Sequence, residues 1–172
     1  AMFLFELLFS FSVISAMPIP MLEKDLTFMR LALEEANSAQ TRDEVPIGAI
    51  LVHKDTGYII ACNGNRTRET SDPTAHAEIL CIRTACEKLG VQRIPDYDLY
   101  ATLEPCPMCA SALSFARLNR VIFGATDSKS GGLNDSLNLY THSQLHHKPE
   151  IVSGILSEEC GQILKDFFKR KR

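Results

Sequence analysis

Two short clusters of metal-binding residue types, His76-Ala77-Glu78 and Pro105-Cys106-Pro107-Met108-Cys109, constrain this chain more than any other feature. Each opens a predicted helix, and one predicted strand, Leu99 to Leu103, lies between them. The offset of Cys106 and Cys109 puts both sulfurs on one helix face, one turn apart. A helix N-terminus favours thiolate over thiol, and thiolate is the form that binds a metal ion. Redox pairs, structural zinc sites and buried cysteine pairs all share a lone Cys-x-x-Cys, and a lone helical His reads as an ordinary satisfied polar residue. Taken together, His76, Cys106 and Cys109 make three good zinc ligands with no obvious fourth. That describes an open site, whereas a structural zinc site is closed by four. Glu78 is placed beside His76 as a proton-moving group that does not itself hold the metal.

Around these clusters, helical and strand periodicities alternate. Leu22 to about Gln40 repeats apolar positions at helical spacing, and Pro46 to Val52 and Tyr58 to Cys62 are β-type runs joined by the turn residues Lys54 to Gly57. After a polar loop, Asn63 to Pro73, a helix is predicted over Ala75 to Leu89 with Gly90 as its C-cap. Pro105 suits the first position of a short helix running to about Arg117, and Val121 to Gly124 is a fourth strand. The segment Asp127 to Pro149 is too long for a plain connector and marks a functional loop. A last strand, Ile151 to Ile155, and a helix, Glu158 to Arg172, close a mixed sheet with helices on both faces.

A chain of 172 residues supports one domain with a real core, read here as residues 21–172. The net charge of −3 argues against wholesale electrostatic adhesion to nucleic acid, but Lys165, Lys169, Arg170, Lys171 and Arg172 concentrate positive charge at one end. That cluster reads either as a local grip on a polyanion or as a solvated helix end that complements the helix dipole. The six cysteines fit a reduced setting, with Cys62, Cys81, Cys86 and Cys160 read as small buried hydrophobes. Residues 1–20 hold an apolar stretch, Phe3 to Ile14, which lacks a basic residue before it and is too short to span a bilayer. It is read as an upstream extension and not as an export signal, so the expected location is the cytoplasm, with no membrane partner.

His-x-Glu paired with Pro-Cys-x-x-Cys is the known signature of zinc nucleobase deaminases. Beyond it, Glu44-Val45-Pro46-Ile47-Gly48-Ala49, Asn65-Arg66, Asp72 to Ile79, Thr102 to Ala110, Phe123-Gly124-Ala125-x-Asp127-x-Lys129-x-Gly131 and Asp166-Phe167-Phe168 resemble the bacterial tRNA-specific adenosine deaminases, a branch of the cytidine deaminase superfamily. The resemblance runs from about Leu22 to Arg172, with Leu133 to Gln144 matching only loosely. It implies an α/β class, three-layer α/β/α cytidine-deaminase-like fold with a mixed central sheet, and one Zn2+ per subunit of a homodimer. It also implies hydrolytic conversion of the wobble adenosine of a tRNA anticodon stem-loop to inosine, with release of ammonia.

By the same resemblance Asn65 hydrogen-bonds the target base, Asp127 meets the ribose of the neighbouring nucleotide, and Lys129, Phe167 and Phe168 lie along the substrate loop. Asn65 also reads as a turn residue, Asp127 as a loop cap, and the two phenylalanines as partly packing the last helix. His142, His146 and His147 read as polar loop residues. Two rival functions share the metal motif. One is a deaminase of free guanine or cytosine, which has no electrostatic reason to carry Lys129 and the basic C-terminus. The other is a non-catalytic zinc module, which has little need of Glu78.

Overall fold

The computed structural model describes residues 21–134 and 137–172, so the apolar extension expected over residues 1–20 lies outside the described residues. Helix α1 (Met21–Thr41) precedes a hairpin of β1 (Gly48–His53) and β2 (Ile59–Gly64). There follow α2 (Ala77–Leu89), β3 (Tyr97–Leu103), α3 (Pro107–Phe115), β4 (Arg120–Ala125), β5 (Glu150–Val152) and α4 (Ser157–Arg170), with a 3-10 turn at Leu139–Thr141. The strands form one mixed sheet in the order β2-β1-β3-β4-β5. Strand β1 runs antiparallel to both of its neighbours, while β3, β4 and β5 run parallel.

Strand alternation sorts the core into two layers. Ala49, Leu51, Leu99, Ala101, Val121 and Phe123 face α2 and α3. Ile50, Val52, Tyr100 and Ile122 face Met29 and Ala32 of α1 and Cys160 of α4. The result is the expected three-layer α/β/α arrangement. Close approach demands a missing side chain at Gly48, where a Cβ would lie 2.0 Å from the Ala32 carbonyl oxygen. Among the described residues, no helix is long and apolar enough to cross a membrane.

Topology explains why the two sequence clusters meet. Because β1 is antiparallel to both β2 and β3, those two strands point the same way, and the helices that follow them begin at one end of the sheet. That is the carboxyl end of the parallel strands, where open α/β sheets place their ligands. The opposite end is closed by a buried polar cluster. Arg120, at the start of β4, makes a bidentate pair with Asp25 of α1 at 3.1 and 2.9 Å and also meets Asp98 of β3, while the Tyr100 hydroxyl donates to Asp25 at 2.7 Å.

Several boundaries differ from the sequence reading. Helix α2 begins at Ala77 with His76 as its N-cap, and α3 begins at Pro107 with Cys106 as its N-cap, so Pro107 and not Pro105 takes the first helical position. Both ligand-type residues therefore stand just outside their helices, in extended conformation. Gly90 adopts the left-handed C-cap, as expected. Cys62 is exposed. It pairs with Ile50 but lies on the edge strand β2, and strand alternation cannot reveal where a covering helix stops.

Candidate metal centre

The extended backbone of His76 and of Cys106 directs both side chains to the space beyond the ends of α2 and α3, and Cys109 adds a second sulfur from the first turn of α3. One ligand atom from each of the three lies within 4.8 Å of the other two. The Nδ1 of His76 is 3.7 Å from Sγ of Cys106 and 3.6 Å from Sγ of Cys109. Tetrahedral zinc with bonds of about 2.3 Å to sulfur and about 2.0–2.1 Å to nitrogen requires a nitrogen-to-sulfur edge of about 3.6 Å. Both nitrogen-to-sulfur edges thus already have about the length that zinc needs. Among the described residues they form the one group of three or more His, Cys, Asp or Glu side chains close enough to hold a metal ion.

Electrostatics favour the same use. The hydrogen bond between the two sulfurs pulls Cys106 down to about 4 and, together with burial, pushes Cys109 up. A lowered thiol presents a thiolate to a cation more readily. The bond to Cys106 raises His76.

Glu78, in the first turn of α2, is 4% exposed. Its Oε2 has no hydrogen-bond partner among the described residues. Burial raises its carboxyl above the usual range. A buried carboxylate oxygen left without a partner costs free energy unless it has a use in the working state.

The remaining expected site residues lie in two places, Asn65 at the start of α2 and the others along or beside one groove. Asn65, 5% exposed, accepts a hydrogen bond from the Ala77 N–H at 3.0 Å through Oδ1, which fixes its carbonyl toward the start of α2 and leaves its NH2 as the donor end. Asp127 caps its own loop: Oδ1 accepts from the N–H groups of Lys129 at 3.1 Å and Ser130 at 3.0 Å. Lys129 and Phe168 lie in one groove with Leu164, Lys165, Lys169 and Arg172. This groove continues past Asp127 to Val45 and Leu103. Phe168 is 48% exposed, whereas Phe167 is only 7% exposed and meets it edge-on at 5.3 Å. Phe167 therefore buttresses its neighbour from within the fold. Of the loop histidines, His147 is anchored, with its Nε2 2.6 Å from the Leu118 carbonyl oxygen, while His142 and His146 are exposed.

Sequence reasoning missed two buried carboxylates. Glu44 accepts from the Glu69 N–H at 2.7 Å, which holds the loop after Asn65, and Glu104 holds the loop after β4. Both stand in segments that carry the family resemblance, but nothing in their spacing points to the backbone N–H groups they hold.

Residues 22–125 match the family model of the cytidine and deoxycytidylate deaminase zinc-binding region. A tRNA-specific adenosine deaminase of Agrobacterium fabrum is 54% identical over 84% of this chain and 94% of its own length. A solved structure from a study of A-to-I editing by tRNA:A34 deaminases at the wobble position of transfer RNA superposes with a TM-score of 0.77. It is 54% identical and covers 80% of this chain and 99% of that one. A guanine deaminase from Nitrosomonas europaea has a TM-score of 0.72 at 20% identity, covering 87% of this chain and 92% of that one. At that distance the likeness is one of fold alone.

Proposed function

The chain belongs to the tRNA-specific adenosine deaminases of the zinc-binding cytidine and deoxycytidylate deaminase family, and from that membership we propose the residue roles by which it converts a wobble adenosine to inosine. The observation that carries the reading is the zinc-compatible spacing of His76 Nδ1 to the sulfurs of Cys106 and Cys109, together with the Oε2 of Glu78 that has no partner among the described residues. In this reading residues 21–172 act as one catalytic domain, and the three ligands hold a single zinc ion. Zinc bound there supplies a positive charge that lowers the pKa of a water toward about 7.

Glu78 takes a proton from the attacking water and gives it to the ring nitrogen of the adenine. It then takes the proton of the new C6 hydroxyl and gives it to the departing amine as the C–N bond breaks and the C6 carbonyl forms, so that water and adenosine become inosine and ammonia. Burial suits Glu78 to this alternation, because a raised carboxyl accepts and returns a proton near neutral pH more evenly than an exposed one. Asn65 presents its NH2 to the flipped base from a position locked by the Ala77 N–H. Asp127 meets the ribose of the neighbouring nucleotide. Phe168 offers a face for base stacking, supported by Phe167, and Lys129, Lys165, Lys169 and Arg172 meet the phosphates. The protein works in the cytoplasm as a homodimer.

An anticodon stem-loop with adenosine at the wobble position, incubated with the zinc-loaded protein, is expected to yield inosine. Free guanine and free cytidine are expected to release no ammonia. Ammonia from the free base or nucleoside alone would overturn the RNA reading and favour the free-base rival.

A further inference from the structure

The carboxylate of Glu104 is 2% exposed, and among the described residues it makes no ion pair with a cation. Its two oxygens are spent on backbone. Oε1 accepts from the Asp127 N–H at 3.2 Å, and Oε2 accepts from the N–H groups of Leu133 at 3.1 Å and Asn134 at 2.9 Å. A buried charge satisfied only by amides of one distant loop is expensive to keep and geometrically strict. The loop has no room to drift. A Cβ on Gly131 would lie 1.9 Å from Oε2 of Glu104, and the Gly132 N–H donates to the Pro105 carbonyl at 2.8 Å. The Asn134 side chain closes the loop on the Asp127 carbonyl at 2.8 Å.

Glu104 therefore touches two things at once. Along the chain it stands just before Pro105 and the ligand Cys106. Through hydrogen bonds it holds both ends of the loop that presents Asp127 and Lys129 to the groove containing Phe168. We propose that Glu104 is a positioning residue for substrate recognition: it sets the distance between the metal and the groove wall that receives the nucleotide beside the target base, without touching the RNA. The proposal rests on the substrate reading above only for its kinetic consequence, since the clamp itself is a matter of backbone hydrogen bonds.

Glu104→Gln keeps the shape but offers an NH2 where amides expect an acceptor. In zinc-loaded protein, the amides of Asp127, Leu133 and Asn134 are expected to exchange hydrogen at least tenfold faster, with zinc content and exchange in α2 unchanged. With the wobble-adenosine stem-loop, KM is expected to rise about tenfold while kcat stays within about threefold, and discrimination among stem-loops differing at the neighbouring nucleotide narrows. Gly131→Ala breaks the same clamp from the loop side with Glu104 intact, so it should reproduce the KM rise even if Glu104→Gln folds poorly. Unchanged amide exchange, loss of zinc, or a fall in kcat at constant KM would each overturn the proposal. If the wild type left the stem-loop untouched, the substrate reading would fall, and the exchange rates alone would decide whether Glu104 holds the loop.

Discussion

In the proposed mechanism Glu78 is the residue on which the chemistry turns, and its Oε2, buried and without a partner among the described residues, makes its substitution informative. Glu78→Gln preserves volume and removes only the capacity to cycle a proton. Turnover on the stem-loop is expected to fall by about 10²–10⁴-fold, the usual contribution of a positioned acid/base, with one zinc per chain retained by metal analysis. Full activity in that variant would end the proposed mechanism. His76, Cys106 and Cys109 were legible in the sequence because a ligand set close along two short segments leaves a spacing. Glu104 and Glu44 left none. Their partners are backbone N–H groups, which every residue carries, and for Glu104 those donors lie between 23 and 30 positions away. Phe167 and Phe168 are adjacent in sequence, so periodicity alone did not say which ring would face solvent; α4 turns the first inward and the second out.

At the scale of elements, order and class were readable because helical and alternating periodicities are long-range signals within each segment. The starts of α2 and α3 were not, since an N-cap with extended backbone looks like helix to a periodicity argument. The buried cluster of Asp25, Asp98, Tyr100 and Arg120 was invisible for a related reason. It joins α1, β3 and β4 through side chains up to 95 positions apart. Its role is to align those elements at the end of the sheet opposite the metal. Arg120→Met leaves Asp25 and Asp98 buried without their cation, which should cost about 3–5 kcal/mol in urea unfolding. Adding Asp25→Leu and Asp98→Leu should return part of that loss. Because the cluster lies at the far end, zinc content and kcat of the folded variants should match wild type; a large drop in kcat would mean that the two ends are coupled.

For the whole molecule, the question is how a chain of net charge −3 approaches a polyanion. Long-range attraction is weak at that charge, so binding has to be carried by a local field. In the proposed function Lys129, Lys165, Lys169 and Arg172 supply it, since they line one groove with Phe168. If each of these four cations meets one phosphate of a single-stranded loop, the plot of log affinity against log salt should slope at about −3, from roughly 0.7 per phosphate. Replacing Lys165 and Lys169 together by alanine should make the slope shallower by about 1.4 while leaving the stacking on Phe168, which carries no salt dependence of this kind. Phe168→Ala should do the converse, weakening affinity at every salt concentration with the slope unchanged. Fluorescence anisotropy of a labelled stem-loop, titrated at several salt concentrations, separates the two. A slope near zero in the wild type would mean that the basic end of α4 is a solvated helix terminus and that the RNA is held elsewhere.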